Sequence, residues 1–232
     1  IQTNENLIKT HTGNIQNNND AISAFEPDTM NNSYTEALNA ANELARSIDE
    51  GADAAIISEN LNRLNEAIAA LRDPAISVVP EATDSTFETS FATVQALLNY
   101  NAVKTEYATA VDLAQTLKNA TTAEDQAAAL ADLNNVLKNL KIDELEDVAK
   151  VDDVISTLNG KITTLDGYKN SIDTNLSAIV TAREAIKSAN EQISYIEKSL
   201  ESIEKQYMDA LAYIEEQKAK LSGGELSLKL MK

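Results

Sequence analysis

The most regular feature of the chain is a repeat of apolar residues in its C-terminal third. Counting from Ile172 to Leu221 in steps of three or four residues reaches fifteen positions, of which only Gln217 is polar. A repeat sustained over about seven heptads is typical of one long helix with a narrow apolar seam, as in a coiled coil. We predict that this helix ends at Gly223 and Gly224, because glycine is typical just past a helix end. The seam consists of Ile172, Leu176, Ile179, Ala182, Ile186, Ala189, Ile193, Ile196, Leu200, Ile203, Tyr207, Ala210, Ile214, Gln217 and Leu221.

Shorter apolar repeats upstream predict further helices. Residues 33–73 contain two runs with helical spacing, separated at Gly51 and ended by Pro74, and therefore predict an αα-hairpin. Pro74 and Pro80 bound the best candidate for a linker. Two more helices follow within residues 84–222, before the long C-terminal helix.

The two ends of the chain are more polar. Residues 1–32 are rich in asparagine and contain Gly13, although Ile1, Ile8, Ile15 and Ile22 recur every seven residues. We interpret this region as a polar N-terminal extension or a marginal helix. Residues 223–232 are predicted to form a tail. Together these patterns predict an all-α fold, an elongated helical bundle with a long C-terminal coiled-coil-like helix in residues 84–222.

Two segments have similar patterns of residues. Tyr34, Ala37, Leu38, Ala41 and Leu44 match Tyr107, Ala110, Val111, Ala114 and Leu117 at an offset of 73 residues. Leu61, Leu64, Asn65, Ile68 and Leu71 match Leu130, Leu133, Asn134, Leu137 and Leu140 at an offset of 69 residues. In residues 33–73 and 106–141 this pattern resembles the FIVAR-type helical repeats of large bacterial surface proteins. The resemblance implies a cell-surface or secreted setting and a structural, spacer or adhesive role.

The charge of the chain argues against several classes of ligand. There are 37 acidic and 19 basic residues, a formal net charge of −18. Such a charge repels phosphate backbones and anionic lipid surfaces, so we expect no nucleic-acid partner. No apolar run approaches the roughly 18 residues of a membrane-spanning helix, so we also expect no membrane insertion by this chain.

Residues with catalytic or metal-binding chemistry are sparse. The chain has no cysteine and one histidine, His11, which we interpret as a solvated surface residue. A metal site or catalytic triad built on it would lack a second imidazole. The acidic cluster at residues 143–153 lacks the spacing of a dedicated calcium loop. Phosphate-binding loops and nucleophile elbows are also missing. We therefore predict no catalytic, metal or cofactor-binding residues, and no enzyme.

The remaining candidates for a site lie on the long helix. Tyr207 falls on the seam and is predicted to be core. Tyr195 and Tyr213 lie beside the seam, where they either pack against neighbouring helices, the alternative we favour, or form a possible interaction surface. The seam requires an apolar cover, supplied by the helices at 85–118 and 122–140 or by a second molecule. We favour cover by the same chain, in which case removing residues 190–221 should cause aggregation.

These features predict a non-catalytic helical protein with a structural or interaction role. We expect a protein partner or self-association, and a secreted or surface-displayed location in a bacterium, as a spacer, adhesin or assembly subunit. The alternative is a secreted effector, a needle-tip-like protein or a helical toxin component, since such proteins also use long antiparallel helices and acidic chains without cysteine.

Overall fold

The computed structural model describes the backbone of residues 1–230 and the side chains of residues 1–222. Within that range all regular elements are helices and there is no strand, which confirms the all-α class, the helical bundle and the long C-terminal helix. A short 3-10 turn at Val148–Lys150 precedes the last helix. The helices are α1 (Gln2–Ser23), α2 (Thr35–Asp49), α3 (Ala54–Leu71), α4 (Phe87–Asn119), α5 (Ala123–Asn139) and α6 (Val151–Leu230).

The chain divides into two compact units. The larger is Glu5–Ala182, and the other comprises Ile1–Asn4 and Arg183–Lys232. Among the side chains that the structure describes, all of the buried ones belong to the larger unit. The hydrophobic core of the protein therefore lies in Glu5–Ala182.

The asparagine-rich N-terminal region forms a helix with a buried face. Ile15 and Ile22 of α1 are fully buried, which explains their seven-residue spacing. The side chain of Asn99 on α4 donates hydrogen bonds to Asn19 Oδ1 (3.0 Å) and Ser23 Oγ (2.8 Å). Apolar packing and hydrogen bonds from a neighbouring helix thus stabilise a segment whose own helix propensity is low.

The two similar segments of the sequence share several structural features. Five of the matched positions are buried in both segments, among them Leu64 and Leu133. The chain takes a left-handed conformation at Arg72 after α3 (φ 54°) and at Lys141 after α5 (φ 59°), which are again 69 residues apart. The two similar segments therefore share buried positions and a left-handed residue as well as a sequence pattern.

An asparagine in each copy holds the segment that follows the hairpin. Asn65 donates from Nδ2 to the carbonyl oxygen of Val79 (3.0 Å) and accepts from its amide (2.9 Å). Asn134 makes the same two bonds with Leu145, at 3.0 and 2.7 Å. The side chains of Val79 and Leu145 are both buried. We call these paired bonds the asparagine clips.

The first part of α6 is part of the core. Its fully or almost fully buried residues recur every seven positions, as expected for a seam packed against neighbouring helices. This spacing begins upstream of Ile172, the first position of the predicted seam. The buried residues are Val151, Leu158, Leu165, Ile172 and Ile179.

A polar group joins α4 to this part of α6. Tyr100 donates a hydrogen bond to Asp166 Oδ1 (2.7 Å), and Lys104 Nζ donates to the same oxygen (2.8 Å). Burial acts to raise the pKa of Asp166, but these hydrogen bonds and the charge of Lys104 outweigh it and lower the pKa. The ionised carboxylate therefore stabilises the fold at neutral pH, and this contribution is lost as the pH falls through the lowered pKa.

The C-terminal end of α6 differs from the prediction. The helix continues through Gly223 and Gly224 to Leu230, so the prediction that these glycines end it is wrong. Glycine inside a helix costs about 1 kcal/mol relative to alanine, which weakens a helix without forbidding it. Of the predicted tail at residues 223–232, residues 231 and 232 lie outside the described residues.

Candidate interaction surface

The second part of α6 carries an exposed row of apolar side chains. From Ile193 to Leu221 every large apolar seam residue is exposed, with Leu200 at 59% and Ile203 at 61%. Ile186 and Ala189, at the start of the row, and Gln217, its one polar residue, are half-buried. We call this row the apolar stripe, and it consists of Ile186, Ala189, Ile193, Ile196, Leu200, Ile203, Tyr207, Ala210, Ile214, Gln217 and Leu221.

The apolar stripe continues the register of the buried part of α6. Ile186 follows the buried Ile179 by seven residues, and the same spacing leads through Leu200 to Leu221. One uninterrupted heptad pattern thus includes buried and exposed residues of a single helix. At 1.5 Å per residue, the stripe extends over about 50 Å of that helix.

The structure corrects the prediction that helices of the same chain cover the whole seam. The last buried seam residue is Ala182. α4 and α5 have 33 and 17 residues, whereas α6 has 80, so the predicted covering helices are too short for the full seam. Tyr207, predicted to be core, is 62% exposed for the same reason.

The two tyrosines predicted beside the seam are both accessible. Tyr195 is 74% exposed and Tyr213 is 63% exposed. Tyr195 and Ile196 line a shallow depression on α6 together with Ser188, Glu191 and Gln192. Exposed tyrosines beside an aliphatic row are typical of protein interfaces, because the ring buries apolar area while the hydroxyl keeps a polar partner.

The single histidine is not a freely solvated residue, contrary to the prediction. His11 on α1 is half-buried, and its Nδ1 lies 2.8 Å from Asn175 Oδ1 on α6. Asn14 donates to the same oxygen (3.2 Å). This histidine therefore joins α1 to the core part of α6.

The acidic cluster at residues 143–153 has structural partners in the fold. Asp147 accepts a hydrogen bond from the amide of Ala149, and Asp152 forms an ion pair with Lys118 at 2.6 Å. The asparagine clip on Leu145 holds the N-terminal part of the segment. Among the residues that the structure describes, no three His, Cys, Asp or Glu side chains are grouped so that they could hold a metal ion.

In the described part of the chain, no helix combines the length and the apolar composition that crossing a bilayer requires. No protein-family model, curated protein or solved structure matches the chain significantly. The FIVAR-type resemblance therefore stays a prediction.

The heptad spacing predicts the row of apolar residues, but it does not predict which part of the row is buried and which part is exposed. Counting backwards from Ile172 in sevens would have found Leu165, Leu158 and Val151, and hence the part of the seam that the core covers. Nothing in the sequence indicates that Leu200 or Ile203 is exposed. An apolar seam has the same sequence pattern whether helices of the same chain or another molecule cover it.

Proposed function

We propose that this chain is a non-catalytic structural or interaction protein that binds other polypeptides through the apolar stripe. Its setting is a bacterial surface or the extracellular medium, where it serves as a spacer, adhesin or assembly subunit. The observation that carries the proposal is the exposure of seven large apolar seam residues, Ile193, Ile196, Leu200, Ile203, Tyr207, Ile214 and Leu221.

The size and order of the stripe support a role in binding. Soluble monomers rarely expose a contiguous apolar patch of more than a few hundred Å², and larger patches mark interaction sites. Scattered apolar side chains would need no explanation. The residues of the apolar stripe instead keep a heptad register that suits the apolar face of another helix.

The charge of the chain supports a protein ligand over other classes. Residues 183–221 contain eight acidic and six basic residues, whereas residues 5–182 contain 28 acidic and 11 basic residues. Neither charge pattern attracts nucleic acid or anionic lipid. A helix with nearly equal numbers of acidic and basic residues and one apolar row favours a protein partner. Such a partner buries the apolar row and leaves the charged faces in water.

Capture of proteins from the source organism tests this role. Immobilised chain should retain specific proteins from its cell-surface and culture-medium fractions, and Ile196→Glu with Ile203→Glu should reduce their recovery at least about tenfold. Quantitative mass spectrometry of the retained proteins gives the measurement.

Two controls sharpen this experiment. The variant Ser194→Glu with Met208→Glu adds the same charge at exposed positions outside the stripe, and should retain what the unmodified chain retains. Identical recovery by the stripe variant would contradict the proposal. Release of a dye from vesicles by the purified chain would favour the toxin component instead.

A further inference from the structure

We propose that the occupant of the apolar stripe is a second copy of this chain, whose own stripe packs against the first in the antiparallel direction. This inference rests on the proposed function in one respect: it takes the stripe to be the binding surface. It goes further by naming the partner and the orientation.

One heptad pattern continues through the buried and the exposed parts of α6. In the core, the residues at this register from Val151 to Ile179 are covered by helices of the same chain. The stripe keeps that register without a break to Leu221, and a seam of this form is complementary to another helix with the same repeat. A second copy supplies that repeat over the full length of the stripe.

The local charge around the stripe also favours a second copy as its partner. Residues 183–221 carry a net charge of −2, from eight acidic and six basic residues, so two copies of this segment repel each other little. Residues 5–182 carry −17, from 28 acidic and 11 basic residues. The stripe is thus the part of the chain that a like copy can approach at the lowest electrostatic cost.

The same charges favour the antiparallel direction. The strongly acidic residues 5–182 end within α6, where the less charged segment 183–221 begins, and a parallel pair would bring these two junctions side by side. In an antiparallel pair the junctions lie about 50 Å apart along the helices. That separation is several times the screening length of about 8 Å at physiological salt, so the repulsion largely vanishes.

The sizes of the stripe residues favour the same direction. One set of positions holds only large residues, Ile186, Ile193, Leu200, Tyr207, Ile214 and Leu221, and the other set includes Ala189 and Ala210. In a parallel pair each alanine faces the same alanine of the second chain, so those layers of the interface are poorly filled. In an antiparallel pair the two sets face each other, so each alanine meets a large residue and the layers fill evenly.

Sedimentation equilibrium of the purified chain tests the association. We expect a reversible monomer–dimer equilibrium, and at least a hundredfold rise in the dissociation constant for Ile196→Glu with Ile203→Glu, because the dimer would bury four carboxylates. The control Ser194→Glu with Met208→Glu should keep the dissociation constant within about threefold. These side chains are exposed in the single chain, so circular dichroism should show all proteins equally folded.

Introduced cysteines test the orientation, since the chain has none of its own. Ala189→Cys and Gln217→Cys lie 28 residues apart, or about 42 Å along one helix. With a short bismaleimide linker, an equal mixture of the two variants should form covalent dimers, and neither variant alone should do so. Crosslinking of each variant with itself would show a parallel pair and overturn the proposal.

The remaining outcomes separate this inference from the proposed function. A chain that stays monomeric at every concentration, or a dimer that the stripe variant does not weaken, would overturn the second copy as occupant. If such a chain still captured other proteins through the stripe, the proposed function would stand without this inference. If the chain neither dimerised nor captured other proteins through the stripe, both this inference and the proposed function would be overturned.

Discussion

Replacing Ile15 with alanine should lower the free energy of unfolding by about 3 kcal/mol. Ile15 is fully buried although its surroundings in the sequence are polar, and removing buried methyl groups costs both the transfer free energy and the cavity left behind. Alanine also has the higher helix propensity, so the loss cannot come from the helix itself. Urea denaturation followed by circular dichroism gives the measurement.

Leu7→Ala provides the matched control, because Leu7 lies on the same helix and its side chain is exposed. Its effect should stay within about 0.5 kcal/mol. Equal effects of the two substitutions would show that α1 does not contribute a buried face to the core, and would contradict the fold described for Glu5–Ala182.

Removing either asparagine clip should cost about 2 kcal/mol. Asn65→Ala and Asn134→Ala each leave one backbone amide and one carbonyl, at Val79 or Leu145, without their protein partner. An unsatisfied buried polar group costs more than the net gain of the hydrogen bond it lost. Because the two clips have the same geometry, the two losses should agree within about 0.5 kcal/mol, as measured by urea denaturation.

Neighbouring exposed asparagines on the same helices serve as controls for the clips. Asn62→Ala and Asn135→Ala change the same residue type at exposed positions and should be close to neutral. A loss confined to one copy would show that the two hairpins, although similar in sequence, are held by different interactions.

The class of fold could be predicted because it depends on periodicity. The spacing of Leu61, Leu64 and Ile68 in α3, and of the matching residues in α5, directly specifies which face of each helix is buried. Low glycine and proline content, six and three residues in the whole chain, permits long helices. These signals are local, and the structure places the corresponding residues in the core.

Features that depend on distant partners could not be predicted. The hydrogen bonds that hold α1 against α4 come from Asn99, which lies 76 and 80 residues from Ser23 and Asn19. Asn65 and Asn134 match each other in the two similar segments. The sequence pattern does not show that each of them binds a backbone segment that comes later in the chain. His11 likewise has its partner, Asn175, on another helix.

The apolar stripe could be predicted only in part, because its exposure depends on other helices of the chain. The residue types of the apolar stripe and the positions of Tyr195 and Tyr213 follow from the heptad pattern alone. Which part of the seam the chain covers depends on the relative lengths of α4, α5 and α6, and on where the core ends at Ala182. The prediction that the same chain covers the whole seam is therefore wrong for the C-terminal part of the seam.

Hydrogen exchange along α6 at two protein concentrations tests most directly whether one part of this helix is core and the other an uncovered binding surface. In dilute protein, amides near Leu165 and Ile172 should exchange slowly, and those from Ile193 to Leu221 orders of magnitude faster, because an unpacked helix opens readily. Raising the concentration should slow only the second group. Equal protection of both groups in the most dilute sample would contradict this account.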